Sequence, residues 1–304
     1  MANLRVALGS LTLRNPVLAA AGTFGYGVEF AQAVRLSRLG ALVTKTLTRE
    51  ARDGHPPPRL VETPSGMLNA VGLQNVGLDA FLREVLPALR RHDVPVIVSI
   101  LGESPEELAE MTRTLDRADG ASAIELNLSC PNLNSPAGLI AQDPEATFTM
   151  VQAAAQRTRK PVLAKLSPDV TDLTPIAQAA ERAGASALTV GNTFIGMSLD
   201  PAARRSRLGT LTGGLSGPAI RPLAVYRVWY TARSVRIPVI GVGGIVRAAD
   251  ALEFLLAGAA AVGVGTAHFA DPRAALRVLV GIERYLNRHR IGSVRELSGA
   301  LRQP

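Results

Sequence analysis

Short apolar runs rich in β-branched residues alternate with stretches of helical periodicity along the whole chain. The runs fall at 17–20, 41–44, 96–100, 123–127, 162–165, 187–190, 239–242 and 261–264, each the length of a buried strand. Apolar residues recur at helical spacing near 28–39, 79–91, 104–117, 143–158, 172–183, 218–233, 247–257 and 271–288. Three of these stretches carry start signals: Ser104 before Pro105 with Glu107 three residues on, Asp143 before Pro144, and Asp271 before Pro272. Strand followed by helix, eight times over, predicts the α/β class and a single (β/α)8 TIM barrel spanning residues 1–304, with no second domain or linker. Leu4–Arg14 alternates around Gly9-Ser10 and predicts an N-terminal hairpin closing the barrel bottom. Residues 46–78 after strand 2 and 194–217 after strand 6 break the short-loop pattern. Long ordered loops are usually functional, so these are expected to form ligand walls or lids.

In such a barrel the C-terminal strand ends surround the active site. At or just past those ends stand Ala21-Gly22, Lys45-Thr46, Ser99, Asn127, Lys165, Gly191-Asn192-Thr193, Gly243-Gly244 and Gly265-Thr266. A lysine rarely interrupts an apolar run unless it meets an anion, so Lys45 and Lys165 point to a negatively charged ligand rather than to solvated surface positions. Glycines in Gly241-Val-Gly-Gly-Ile245 and Val262-Gly-Val-Gly-Thr266 let backbone amides approach a phosphate. Gly241–Gly244 lacks the third glycine of a dinucleotide fingerprint, and no acidic residue ends a following strand at the right distance, which argues against a Rossmann domain.

The segment Glu125-Leu-Asn-Leu-Ser-Cys-Pro-Asn132 ends the fourth run with two amides and the only cysteine of the chain. Pro131 offers no backbone donor and disfavours helix in the residue before it, so Cys130 is expected where strand gives way to loop. A lone cysteine is most often an inert buried residue, but a thiol at that rim can reach a ligand. One cysteine excludes an internal disulfide and any all-cysteine metal cluster carried by this chain alone. The net charge of +8 favours anionic ligands or acidic partners. Arginines are dispersed along the predicted helices, as at Arg83, Arg90, Arg91, Arg113 and Arg117, and this argues against a nucleic-acid groove. No signal-type apolar core follows the N-terminus and no apolar run approaches the roughly 20 residues of a membrane span, so a soluble cytoplasmic protein is expected. There is no H-E-x-x-H, Walker loop or G-x-S-x-G elbow, and no carboxylate pair ends neighbouring strands; Glu125 lies inside strand 4. His55, His92, His268 and His289 lack metal spacing, with His55 and His268 the two on loop-side segments.

With these residues in view the chain resembles the class 1B dihydroorotate dehydrogenases, the flavin-bearing catalytic subunit of the NAD-linked enzyme. The matching motifs are Asn15-Pro-Val, Gly22-Thr-Phe-Gly25, Lys45-Thr46, the block from Thr63 to Asn75, Asn127-Leu-Ser-Cys-Pro-Asn132, Lys165-Leu-Ser-Pro, Asn192-Thr193, the block from Gly213 to Ala219 and Gly241-Val-Gly-Gly-Ile245. The resemblance implies that Lys45, Asn69, Ala70, Val71, Gly72, Leu73, Asn127, Asn132, Asn192 and Thr193 hold dihydroorotate or orotate. Asparagine suits the alternating N–H and C=O edge of that ring, and Lys45 its carboxylate. It implies FMN against Ala21, Gly22, Lys45, Thr46, Ser99, Asn127, Lys165, Gly191, Gly217, Gly243, Gly244, Gly265 and Thr266, with Lys165 stabilising the anion formed on reduction. Cys130 would accept the C5 proton as C6 passes a hydride to flavin, in the de novo pathway to UMP. FAD and a [2Fe–2S] cluster would reside on a partner subunit that reduces NAD, in a heterotetramer built on a homodimer of this chain.

Three positions depart from the family pattern: Ala21 where serine is common, Ser99 where asparagine is common, and Gly191 where a branched aliphatic residue is common. Other readings remain open. A dihydropyrimidine dehydrogenase module shares barrel, flavin and cysteine but takes a substrate without a carboxylate. A transfer-RNA dihydrouridine synthase suits the basic charge but needs an RNA-binding domain, and a non-catalytic phosphate scaffold would bind no flavin.

Overall fold

The computed structural model describes residues 2–129 and 140–302. Residues Val6–Leu8 and Leu11–Leu13 form the expected hairpin around Gly9-Ser10, with Val6 opposite Leu13. Gly9 has φ +61°, and a Cβ there would lie 2.7 Å from Cβ of Ser186, the residue leading into the sixth barrel strand, so the turn needs glycine and presses on the barrel bottom.

Eight parallel strands close the barrel: in chain order Val17–Ala19, Ala41–Val43, Val96–Ile100, Ala121–Asn127, Val162–Leu166, Ala187–Val190, Val239–Val242 and Ala261–Val264. Each pairs with the next, and the eighth returns to the first through Val262 opposite Val17. Every residue of the third, fifth and sixth strands is buried, as expected of strands covered on both faces. The fourth strand starts at Ala121, earlier than its apolar run. A bulge skips Ser122, whose Oγ instead accepts from the Val96 amide at 3.3 Å.

The helical stretches hold with three differences. Residues 28–39 form two short 3-10 turns, Val28–Phe30 and Leu36–Arg38, rather than a helix. Phe24 stacks on Phe30 at 4.4 Å and Val34, Leu36 and Leu39 are buried, so tertiary packing consumes the apolar positions in a tighter connection. The stretch 79–91 is helical but widens to a π turn over Phe81–Val85, immediately before Pro87, which has no N–H to donate and crowds the preceding turn. The last long helix starts at Ala274; Asp271 stays outside it, accepting from the Arg273 amide at 3.0 Å. Ser104 and Asp143 cap their helices as predicted, accepting from the amides of Glu107 at 3.2 Å and Glu145 at 2.9 Å.

The two long loops are not irregular. Leu60–Thr63 and Gly66–Asn69 from the first join Gly213–Ser216 and Phe194–Gly196 from the second in one antiparallel sheet, with Leu68 opposite Leu215. Gly214 permits this approach, since a Cβ there would lie 2.1 Å from Thr193 Oγ1.

Candidate active site

A cavity opens at the C-terminal end of the barrel, with a volume of about 1250 Å³ including its open mouth. The barrel strand ends contribute Ala21, Gly22, Lys45, Thr46, Asn127, Lys165, Gly191, Asn192, Thr193, Gly243, Gly244, Gly265 and Thr266. The small sheet adds Asn69, Val71, Gly72, Leu73 and Gly217 from one side. These predicted residues therefore converge, although they come from all parts of the chain.

Two predicted residues do not reach the cavity. Ala70 is 2% exposed and points the other way, into a satellite cluster with Leu68 and Leu208, because successive residues of an extended segment face opposite sides. Ser99 is fully buried one layer back, its Oγ 3.0 Å from Thr46 Oγ1. Cys130 and Asn132 lie outside the described residues. Sequence reasoning missed Thr23, Met67, Gly214, Ser216, Ile220 and Phe269, which also line the cavity. Met67, Gly214 and Ser216 stand inside the matching motifs; Phe269, 53% exposed at the rim, carried no sequence signal beyond following Gly265-Thr266.

The polar groups on the rim are held in order by one hydrogen-bond chain. Asn127 Nδ2 donates to Thr46 Oγ1 at 3.0 Å, Ser129 Oγ donates to Asn127 Oδ1 at 3.1 Å, and Asn192 Nδ2 donates to Ser129 Oγ at 2.6 Å. Asn192 Oδ1 accepts from the Thr193 amide at 2.8 Å. Side chains from the second, fourth and sixth strand ends thus lock one another, which lowers the entropy left to lose on binding. Across the cavity Asn69 Nδ2 donates to the Gly214 carbonyl at 3.1 Å. The loop carrying Gly72 and Leu73, with φ +72° and +55°, is tied down by buried Asn75. Its Nδ2 donates to Leu73 O at 2.7 Å and Thr48 Oγ1 at 2.9 Å, while Oδ1 accepts from the Gly77 amide at 2.9 Å.

The electrostatics favour an anion. Lys45 is half-buried; desolvation, and next the charge of Arg59, lower its pKa from the usual lysine value, with Glu29 opposing. Lys165, 6% exposed in the fifth strand, lines the same cavity, and among the described residues neither lysine makes an ion pair. A desolvated ammonium without a direct ion-pair partner is an arrangement that an anionic ligand can complete. Neither loop-side histidine lines the cavity. His268 is buried against Phe24, ring centroids 4.6 Å apart, and burial pushes its pKa down to about 4.

The sequence model of the dihydroorotate dehydrogenase family matches residues 3–286. The chain belongs to this family. A protein of Trichlorobacter lovleyi described as the catalytic subunit of dihydroorotate dehydrogenase B (NAD(+)) is 51% identical over 296 residues, covering 97% of both chains. A protein of Geotalea uraniireducens with the same description is 50% identical over 299 residues, covering 98% of both. A crystal structure of a dihydroorotate dehydrogenase from Eimeria tenella in complex with ferulenol superposes with a TM-score of 0.83, covering 99% of this chain and 89% of that one. At 24% identity it shows the shared fold. The family is flavin-dependent, and among the described residues no helix is long and apolar enough to cross a membrane.

Proposed function

We propose that this chain oxidises (S)-dihydroorotate to orotate in pyrimidine biosynthesis, using FMN. The observation that carries the reading is the union, in one cavity, of two lysines that make no direct ion pair among the described residues, a glycine-rich floor and a preorganised set of amides.

The residues fit FMN. A Cβ built at Gly22 meets nothing within 4 Å, one at Gly265 nothing nearer than 3.8 Å and one at Gly191 nothing nearer than 3.5 Å, so these glycines leave room in the cavity rather than serving protein packing. Gly243 and Gly244 have φ +145° and +70°, conformations that glycine adopts freely and that suit backbone amides approaching a phosphate. Gly265-Thr266 and Gly217 supply further small groups, and Lys165 would offer FMN a positive charge from the cavity wall. When bound, FMN supplies the hydride acceptor and takes on negative charge, which Lys165 opposes.

For the substrate, Lys45 meets the carboxylate, and Asn69, Asn127, Asn192 and Asn132 with Thr193 address the amide edge of the ring. Cys130, directly after Ser129 of the hydrogen-bond chain, takes the C5 proton. An unperturbed thiol titrates near pH 8.5, so activity should climb through mildly alkaline pH. The relatives are described as catalytic subunits of an NAD(+)-linked enzyme. By extension, a partner bearing FAD and a [2Fe–2S] cluster takes the electrons onward in the cytoplasm, in a heterotetramer on a homodimer of this chain.

Anaerobic mixing of the purified protein with dihydroorotate should bleach the flavin absorbance rapidly. A flavin that stays oxidised with dihydroorotate but bleaches with dihydrouracil refutes the substrate assignment. Cys130→Ser should keep FMN yet lose turnover by orders of magnitude at neutral pH; near-normal bleaching in that variant refutes the role of the thiol.

A further inference from the structure

One carboxylate inside the barrel has no part in the chemistry above. Glu125 lies on the fourth strand two residues before Asn127 and is 2% exposed. Its Oε2 accepts from Thr189 Oγ1 at 2.9 Å, whereas Oε1 is buried without a hydrogen-bond partner among the described residues. Thr189 belongs to the sixth strand, so this bond passes over the fifth. There, Lys165 stands in register with both Asn127 and Thr189. Glu125, Thr189 and Lys165 line one small internal cavity whose other walls are apolar or small, among them Leu18, Val43 and Ile240. The cavity has room for about one water molecule.

The two charged side chains lining this cavity are Glu125 and Lys165, of opposite sign, and they form no direct ion pair. Isolated charge in such surroundings is strongly unfavourable, and one water in this cavity would satisfy the unpartnered Oε1 and bridge it to the ammonium. Lys165 also lines the large cavity, so the same ammonium has an acid behind it and the cofactor site in front. We infer that Glu125 is the counter-charge of Lys165, joined to it through one buried water, and is the positioning residue for the ammonium that faces the cofactor.

The test is a double-mutant cycle on the purified full-length protein. Glu125→Gln keeps the shape and an oxygen to accept from Thr189 while removing the charge. Lys165→Met removes the ammonium, and Lys165→Gln closes the same cycle if the methionine variant does not fold. Each single variant should melt below wild type, and the double variant should melt above the lysine single variant, because the second change removes a stranded charge. Equal losses from Glu125→Gln in both backgrounds overturn the inference. A second readout is the midpoint potential of the bound flavin by anaerobic redox titration. Glu125→Gln should raise it, since the positive charge of Lys165 is no longer offset; an unchanged or lowered potential overturns the inference. This second measurement rests on the FMN reading, whereas the melting cycle reads the chain alone. Protein purified without flavin therefore refutes that reading and leaves the cycle to decide this one.

Discussion

Acidification should destabilise this protein through His268 before general acid unfolding sets in. The ring is 2% exposed, neither nitrogen has a hydrogen-bond partner among the described residues, and burial lowers its pKa from 6.5 to about 4. Asp271 pulls the other way, but its carboxylate is ion-paired with Arg277 at 2.9 Å. The folded state resists the proton and the unfolded state takes it near pH 6.5. The neutral ring therefore contributes its full stability above pH 6.5, and that contribution is lost as pH falls toward 4. A shift from 6.5 to about 4, at about 1.36 kcal/mol per pKa unit, corresponds to about 3 kcal/mol, a large share of the roughly 5–15 kcal/mol that separates folded from unfolded chains. His268→Phe removes the titration, keeps a ring against Phe24 and breaks no hydrogen bond. Urea unfolding of both proteins at intervals from pH 7 to pH 4.5 gives the difference curve, in which the carboxylates common to both cancel. The wild type should lose stability relative to the variant by about 1.4 kcal/mol per pH unit below pH 6. A difference that does not change with pH refutes the reasoning. The consequence reaches the site, since His268 lies between Thr266 and Phe269, both of which line the cavity.

Lys45→Met should weaken orotate binding, read from the flavin spectral shift, by roughly 10- to 150-fold, the equivalent of a charged hydrogen bond of about 1.5–3 kcal/mol. Because the Lys45 pKa is lowered, wild-type binding should also decline on raising the pH sooner than an ordinary lysine would cause, and the variant should lack that decline; an unchanged affinity in the variant argues against the carboxylate role. Gly265→Ala should leave the stability of the cofactor-free protein within about 0.5 kcal/mol while weakening FMN binding, because its Cβ meets no protein atom nearer than 3.8 Å. Gly244→Ala should instead lower the melting temperature, since φ is +70° and its Cβ would lie 2.8 Å from the Gly217 carbonyl oxygen, a combination costing on the order of 1–3 kcal/mol.

The barrel was legible because parallel strands covered on both faces demand near-continuous apolar runs, such as Val17-Leu-Ala19, recurring at regular intervals between helical stretches. The rim was legible for the complementary reason: Lys165 and Asn127 interrupt that pattern where a packed core would not tolerate them. What escaped was structure held by contacts between distant segments. Gly213-Gly214-Leu215-Ser216 has no strand propensity, and it is extended because Gly66–Asn69 lies beside it and Thr193 leaves no room for a side chain. Ala70 falls outside the cavity because a matching block was read as a continuous surface, whereas the extended stretch from Asn69 to Val71 turns only its alternate residues, Asn69 and Val71, to the cavity. Ser99 illustrates the same limit in depth: its side chain is shorter than the distance to the cavity, so its hydroxyl ends on Thr46. Thr46 in turn accepts from Asn127, so the shorter side chain has become a support for a cavity-lining amide.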